Sequence, residues 1–185
     1  MNYSECDQII KYLDKEDLVK LRSYVENRRE AYYYSEARKI FDKYLKAPFG
    51  FYNIVDGKLL FTDGYSIYLL NDSGILTQKF LDRLNKQSID DYESYSDKLF
   101  DYFSHFESLE NDNVGKIDTL DYKRYEVFNS DGSYSHFVNK NYYNNGEIFL
   151  GENTSYRVVK EESAFLLESP KGKGLVLGCK NHKRQ

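Results

Sequence analysis

The chain has 185 residues, room for one ordinary domain, and a composition of 41% hydrophobic and 30% charged residues that fits a folded protein rather than a disordered one. Its net charge of −4 excludes bulk positive charge as a route to nucleic acid, so any such contact needs a local basic stripe. No apolar run approaches the ~20 residues that span a bilayer, the N-terminus lacks a basic region followed by an apolar run, and Cys6 and Cys179 have neither disulfide nor zinc spacing. The expectation is a cytoplasmic protein without membrane contact or cofactor.

Helix is expected first. Ser4 or Asp7 can cap a short stretch, and Asp14 starts a second with Leu18, Leu21 and Val25 on one stripe. Ala31-Tyr32-Tyr33-Tyr34 reads as a short strand, because aromatic residues suit a pleated surface. Ser35 then caps a helix to residue 47 that buries Ala37, Ile40, Phe41 and Tyr44 and stops at Pro48. Strands 49–55, 58–62 and 65–70 follow, with Asp56-Gly57 and Asp63-Gly64 read as two-residue hairpin turns.

Residues 76–110 return to helix, with Phe80, Leu81, Leu84, Ile89, Tyr92, Leu99, Phe103 and Phe106 on apolar faces, and Glu110 to Gly115 reads as a polar break. A hairpin, 122–128 with 133–138, turns at Asp131-Gly132. Asn139 caps a helix that ends at Gly151. Strands 155–160, 164–168 and 175–180 close the chain, the last two joined by a loop over 170–174.

Strand, helix and three strands thus occur twice in the same order. The fold class expected is α+β, two βαβββ halves forming one domain over 1–185. Within it, 1–30 is a helical arm, 31–75 the first half, 76–118 a central helical insertion and 119–185 the second half.

Two stretches carry a family resemblance. One is Val55-Asp56-Gly57-Lys58-Leu59-Leu60-Phe61-Thr62-Asp63-Gly64-Tyr65-Ser66-Ile67-Tyr68-Leu69. The other is Phe137-Val138-Asn139-Lys140-Asn141-Tyr142, continuing through Phe149-Leu150-Gly151, Phe165-Leu166-Leu167-Glu168 and Gly174-Leu175-Val176-Leu177-Gly178-Cys179-Lys180. With the element order, they resemble the DNA sliding clamps, polymerase processivity factors, in the single-domain form of phages and mobile elements. The resemblance implies a non-enzymatic factor of DNA replication that encircles duplex DNA, as a homo-oligomer of about six copies if single domains are to close a ring. The alternative is an interaction module that uses the fold as scaffold and binds a protein partner through its helical parts.

The DNA-binding candidates are Lys39, Lys43 and Lys46, which share one helix face, and Lys140 on the second helix that the resemblance turns toward DNA. Lysines so spaced can touch phosphates without reading bases; a solvated face is the plainer use of such a stripe. Lys79, Arg83 and Lys86 repeat the spacing as a secondary basic stripe, and Arg28 and Arg29 read as solvated. The 19 tyrosines and 12 phenylalanines reflect either coding bias or an aromatic binding surface.

No catalytic or metal-binding residue is expected. His105, His136 and His182 lack a partner at metal spacing. Asp56-Gly57-Lys58 and Asp121-Tyr122-Lys123 are Asp-x-Lys triplets of the kind some metal-dependent nucleases use, but the first is already explained as a turn.

Overall fold

The computed structural model describes residues 15–71, 75, 92–151, 153–159 and 162–178. The chain divides into two compact units, Met1–Glu36 and Ala37–Gln185. Among the described residues no helix is long and apolar enough to cross a membrane.

Helix α1 runs from Lys15 to Leu45. Tyr32, Tyr33 and Tyr34 lie inside it, which corrects the strand expected there. No Gly or Pro interrupts residues 15–45, so helix continuity overrides the β preference of three aromatic residues. In the first unit every residue from Lys15 to Arg28 is exposed, and the ion pairs Glu16–Lys20 (2.7 Å) and Arg22–Glu26 (2.8 Å) run along the helix surface.

The second unit is α+β, as expected. Strands β1 (Phe51–Val55), β2 (Lys58–Thr62) and β3 (Ser66–Leu70) precede helix α2 (Tyr92–Ser108). Strands β4 (Asn111–Thr119), β5 (Arg124–Asn129) and β6 (Tyr134–Asn139) lead to helix α3 (Lys140–Leu150). Then come β7 (Ser155–Val159), β8 (Ala164–Ser169) and β9 (Gly172–Leu177). The strands form one antiparallel sheet in the order β1-β2-β3-β9-β8-β7-β4-β5-β6. Six of its strands are symmetric in order: β1-β2-β3 meets β9-β8-β7 where the third strand of one half pairs with the third of the other.

Asp56 and Gly57 both have positive φ, 51° and 75°, as a two-residue β1–β2 hairpin requires. The β2–β3 connection is longer than expected. Thr62 pairs with Ile67, and the Asp63 carboxylate accepts from the N–H groups of Tyr65 and Ser66 at 3.0 Å each. The polar stretch from 110 is not a break, because β4 pairs with β7 over 111–113 and with β5 over 114–119, with a bulge between Val114 and Lys116. Strand β9 begins at Gly172, so the loop expected over 170–174 shrinks to a turn at Pro170 and Lys171.

Alternation along the strands feeds two apolar layers. On one face Phe51, Leu60, Ile67, Leu166 and Leu175 join Leu99, Phe103 and Phe106 of α2 in a single cluster. On the other, Phe61 and Tyr68 meet Phe41 and Tyr44 of α1 and Phe149 of α3, with ring centroids 4.8–5.8 Å apart for Tyr68–Phe149, Phe61–Phe149, Phe41–Phe61 and Tyr44–Phe61. The expected segment 76–118 therefore contains a core helix and a sheet strand.

Candidate nucleic-acid interface

Residues 37–45 of α1 are amphipathic as the spacing predicts. Ala37, Phe41 and Tyr44 are buried and Ile40, expected with them, is half-buried, whereas Lys39, Lys43 and Lys46 are exposed. Turning Phe41 and Tyr44 onto the sheet leaves the lysines on the opposite side, so the stripe follows from core packing. The Lys46 ammonium pairs with Asp42 one turn back. Arg38 turns away from this face and donates through Nε to the Ile75 carbonyl (2.8 Å).

Helix α3 lies beside this segment on the same face of the sheet. Asn145 Nδ2 donates to the Tyr44 hydroxyl (3.3 Å), and the Tyr44 and Tyr142 rings are 6.4 Å apart. Tyr44 also accepts from Ser66 Oγ (2.8 Å), and Ser66 Oγ reaches Asp63 Oδ1 (3.2 Å). Asp63 is only 6% exposed, and its donors are the Tyr65 and Ser66 N–H groups and Ser66 Oγ, which itself reaches Tyr44 of α1. Burial pushes the Tyr44 phenol up to about 12 and the Tyr142 phenol further, so both stay neutral and able to donate.

The start of α3 is set as expected. Asn139 is its N-cap, with Oδ1 accepting from Asn141 N–H (2.9 Å), and Gly151 is its C-cap. Lys140, half-buried, places its ammonium 4.8 Å from the Tyr125 ring centre, and its N–H donates to the Lys123 carbonyl (2.9 Å). The exposed positions of α3 are Asn141, Asn144 and Glu147, so this helix adds one cation and one carboxylate to the face. The structure thus brings the Lys39 stripe and α3 to one face. Lys79, Arg83 and Lys86 lie outside the described residues, as do Cys6, Cys179 and His182.

A second group of cations was not singled out from the sequence. Lys116 lies over Phe128 (5.9 Å), Arg124 over Phe137 (5.4 Å) and Lys123 over Tyr122 (5.1 Å), and Tyr122 is 83% exposed. The signal was alternation in 116–128, hidden because residues 110–115 looked like a break. Carboxylates balance two of these cations: Asp118 pairs with Lys116 (2.6 Å) and Asp121 with Arg124 (2.7 Å).

Both Asp-x-Lys triplets are used by turns. Asp121 Oδ1 accepts from the N–H groups of Lys123 and Arg124 at 2.8 Å, and the Arg124 side chain holds the carboxyl below its usual range. Among the described residues no three His, Cys, Asp or Glu side chains gather as metal ligands would. His105 lies on α2 beside Phe106, and His136 is 4% exposed in β6 against Phe165 (4.4 Å). His136 Nδ1 meets Ser135 Oγ (2.7 Å), its Nε2 has no hydrogen-bond partner among the described residues, and burial pulls its pKa down to about 4.

No protein family, curated protein or solved structure matches this chain.

Proposed function

We propose that this chain is a non-catalytic, clamp-like factor that associates with duplex DNA and serves replication processivity in a phage or mobile element. The observation that carries the reading is the exposed stripe of Lys39 and Lys43 on α1 and Lys46 just past its end, opposite the side of the helix that packs on the sheet. The stripe extends about 10 Å along the helix, and three ammonium groups can meet phosphates without reading bases. Drawing Lys46 from Asp42 costs little, since exposed i,i+4 pairs contribute about 0.3–0.5 kcal/mol. Two further features support the reading. Helix α3, with Lys140 at its start, lies on the same face, and helix-plus-three-strands recurs about the β3–β9 pair.

The test is duplex binding across a salt series for wild type and Lys39→Glu/Lys43→Glu/Lys46→Glu. Loss of three phosphate contacts flattens the slope of log affinity against log salt by roughly 2–3. Wild-type affinity and slope in the variant would sink the assignment. Retention on closed circular but not linear DNA would then establish encirclement.

A second reading, an interaction module, is favoured by the run Lys15–Arg28, in which every residue is exposed, Leu18, Leu21 and Val25 included. It predicts no duplex binding at physiological salt and a specific protein partner.

A further inference from the structure

We infer that residues 18–32 of α1 form a short parallel coiled coil with a second copy of this chain. The inference rests on the interaction reading, whose occupant it names. Helices in folded proteins owe most of their stability to packing of an apolar face. Here Leu18, Leu21, Val25 and Tyr32 are 38%, 43%, 50% and 68% exposed. With Arg28 they fall at steps of three, four, three and four, the a and d positions of two successive heptads. Val25 at an a position beside Leu21 at d suits a two-stranded assembly.

Charge selects both the occupant and its direction. The positions that follow each d residue or its equivalent, Lys15, Arg22 and Arg29, are all basic. Antiparallel pairing would set these e positions against one another. Parallel pairing instead sets each e position against a partner g position, bringing Asp17 opposite Arg22 of the other copy and Tyr24 opposite its residue 29. The first contact is an ion pair. Arg28 is the polar residue in the seam. Its Nε donates to Tyr24 Oη (3.1 Å) and its guanidinium lies 5.4 Å from that ring, which carries the charge to the flank. Such a residue fixes register at some cost in affinity. Two heptads span only about 21 Å, so the dimer is concentration-dependent.

The test is sedimentation equilibrium of the full chain from low to high micromolar concentration. The mass is expected to rise from 21.9 kDa toward twice that value, and Leu21→Lys/Val25→Lys to remain at the single-chain mass with unchanged circular dichroism. In a Cys6→Ser/Cys179→Ser background, Val25→Cys at a seam position is expected to form a disulfide-linked dimer, and Val19→Cys at an outward position not to. A single-chain mass throughout, a dimer indifferent to the lysine substitutions, or equal cross-linking at both positions would each overturn the inference. Duplex binding is scored separately: a monomeric Leu21→Lys/Val25→Lys chain that still binds DNA through Lys39, Lys43 and Lys46 leaves the DNA reading standing, and loss of DNA binding with the dimer intact removes that reading alone.

Discussion

Gly146 sets how closely α3 approaches the sheet, and replacing it with alanine opposes two effects of known size. Gly146 is buried in mid-helix, where alanine is better by about 1 kcal/mol on backbone grounds. The added Cβ, however, would sit 2.3 Å from Leu167 Cδ2, with the Tyr68 and Tyr156 hydroxyls at 3.7 and 3.8 Å behind it. Leu167 is itself buried in β8 and has little room to turn. Overfilling a packed site costs about 1–3 kcal/mol, so steric cost wins and Gly146→Ala is expected to destabilise the protein by about 1 kcal/mol. Leu167→Ala alone should cost about 2–5 kcal/mol by leaving a cavity. In that background the clash is gone, and Gly146→Ala should become stabilising by about 1 kcal/mol. Urea unfolding of the four proteins reads this reversal from the midpoints at constant m. A higher midpoint for Gly146→Ala in the wild-type background would refute the close seating of α3 on β8.

The His136 shift gives a pH signature. Folding pulls its pKa from 6.5 to about 4, so the folded state binds the proton less readily than the unfolded chain. Its contribution is intact above pH 6.5 and lost as pH falls toward 4, by about 3 kcal/mol in all; His136→Phe should make the fall in urea midpoint over that window shallower than in wild type. Asn139→Ala removes the α3 cap and should cost about 1 kcal/mol, while Asn139→Asp should retain most of it in the same unfolding assay. Phe149→Ala empties the contact among Phe61, Tyr44 and Tyr68 and should cost about 3–5 kcal/mol, read as a lower thermal midpoint.

The parts of the fold that were legible are those where one residue forces the backbone. Asp56-Gly57 fixed the first hairpin, Asn139 and Gly151 fixed both ends of α3, and helical spacing from Ala37 to Tyr44 fixed the buried side of α1. The misreadings arose where helix continuity or pairing with another strand outweighs the preference of a few residues. Tyr32 to Tyr34 have strand character, yet nothing breaks the helix around them. Asn111 to Gly115 have turn character, yet Asn111 to Asn113 are paired by β7, distant in sequence, and Val114 by β5. The lysine stripe was visible because exposure follows from the buried side of the same helix. The setting of Tyr44, Asn145, Ser66 and Asp63 was not, since it depends on which helices share a face of the sheet.

The β3–β9 pair bears on the order in which the molecule can form. Asn71 and Pro170, joined by a hydrogen bond at the end of that pair, are 99 residues apart. During synthesis β1, β2 and β3 emerge early, with Phe61 and Tyr68 lacking α3 until residues 140–150 are made and β3 lacking its neighbour until Gly172–Leu177 is made. Closing so long a loop before any reward makes folding slow and leaves β3 open to mispairing meanwhile. A nascent chain stopped just before Gly172 would hold two sheets with no seam between them, and the last six residues of the described sheet would act as the fastener that joins them.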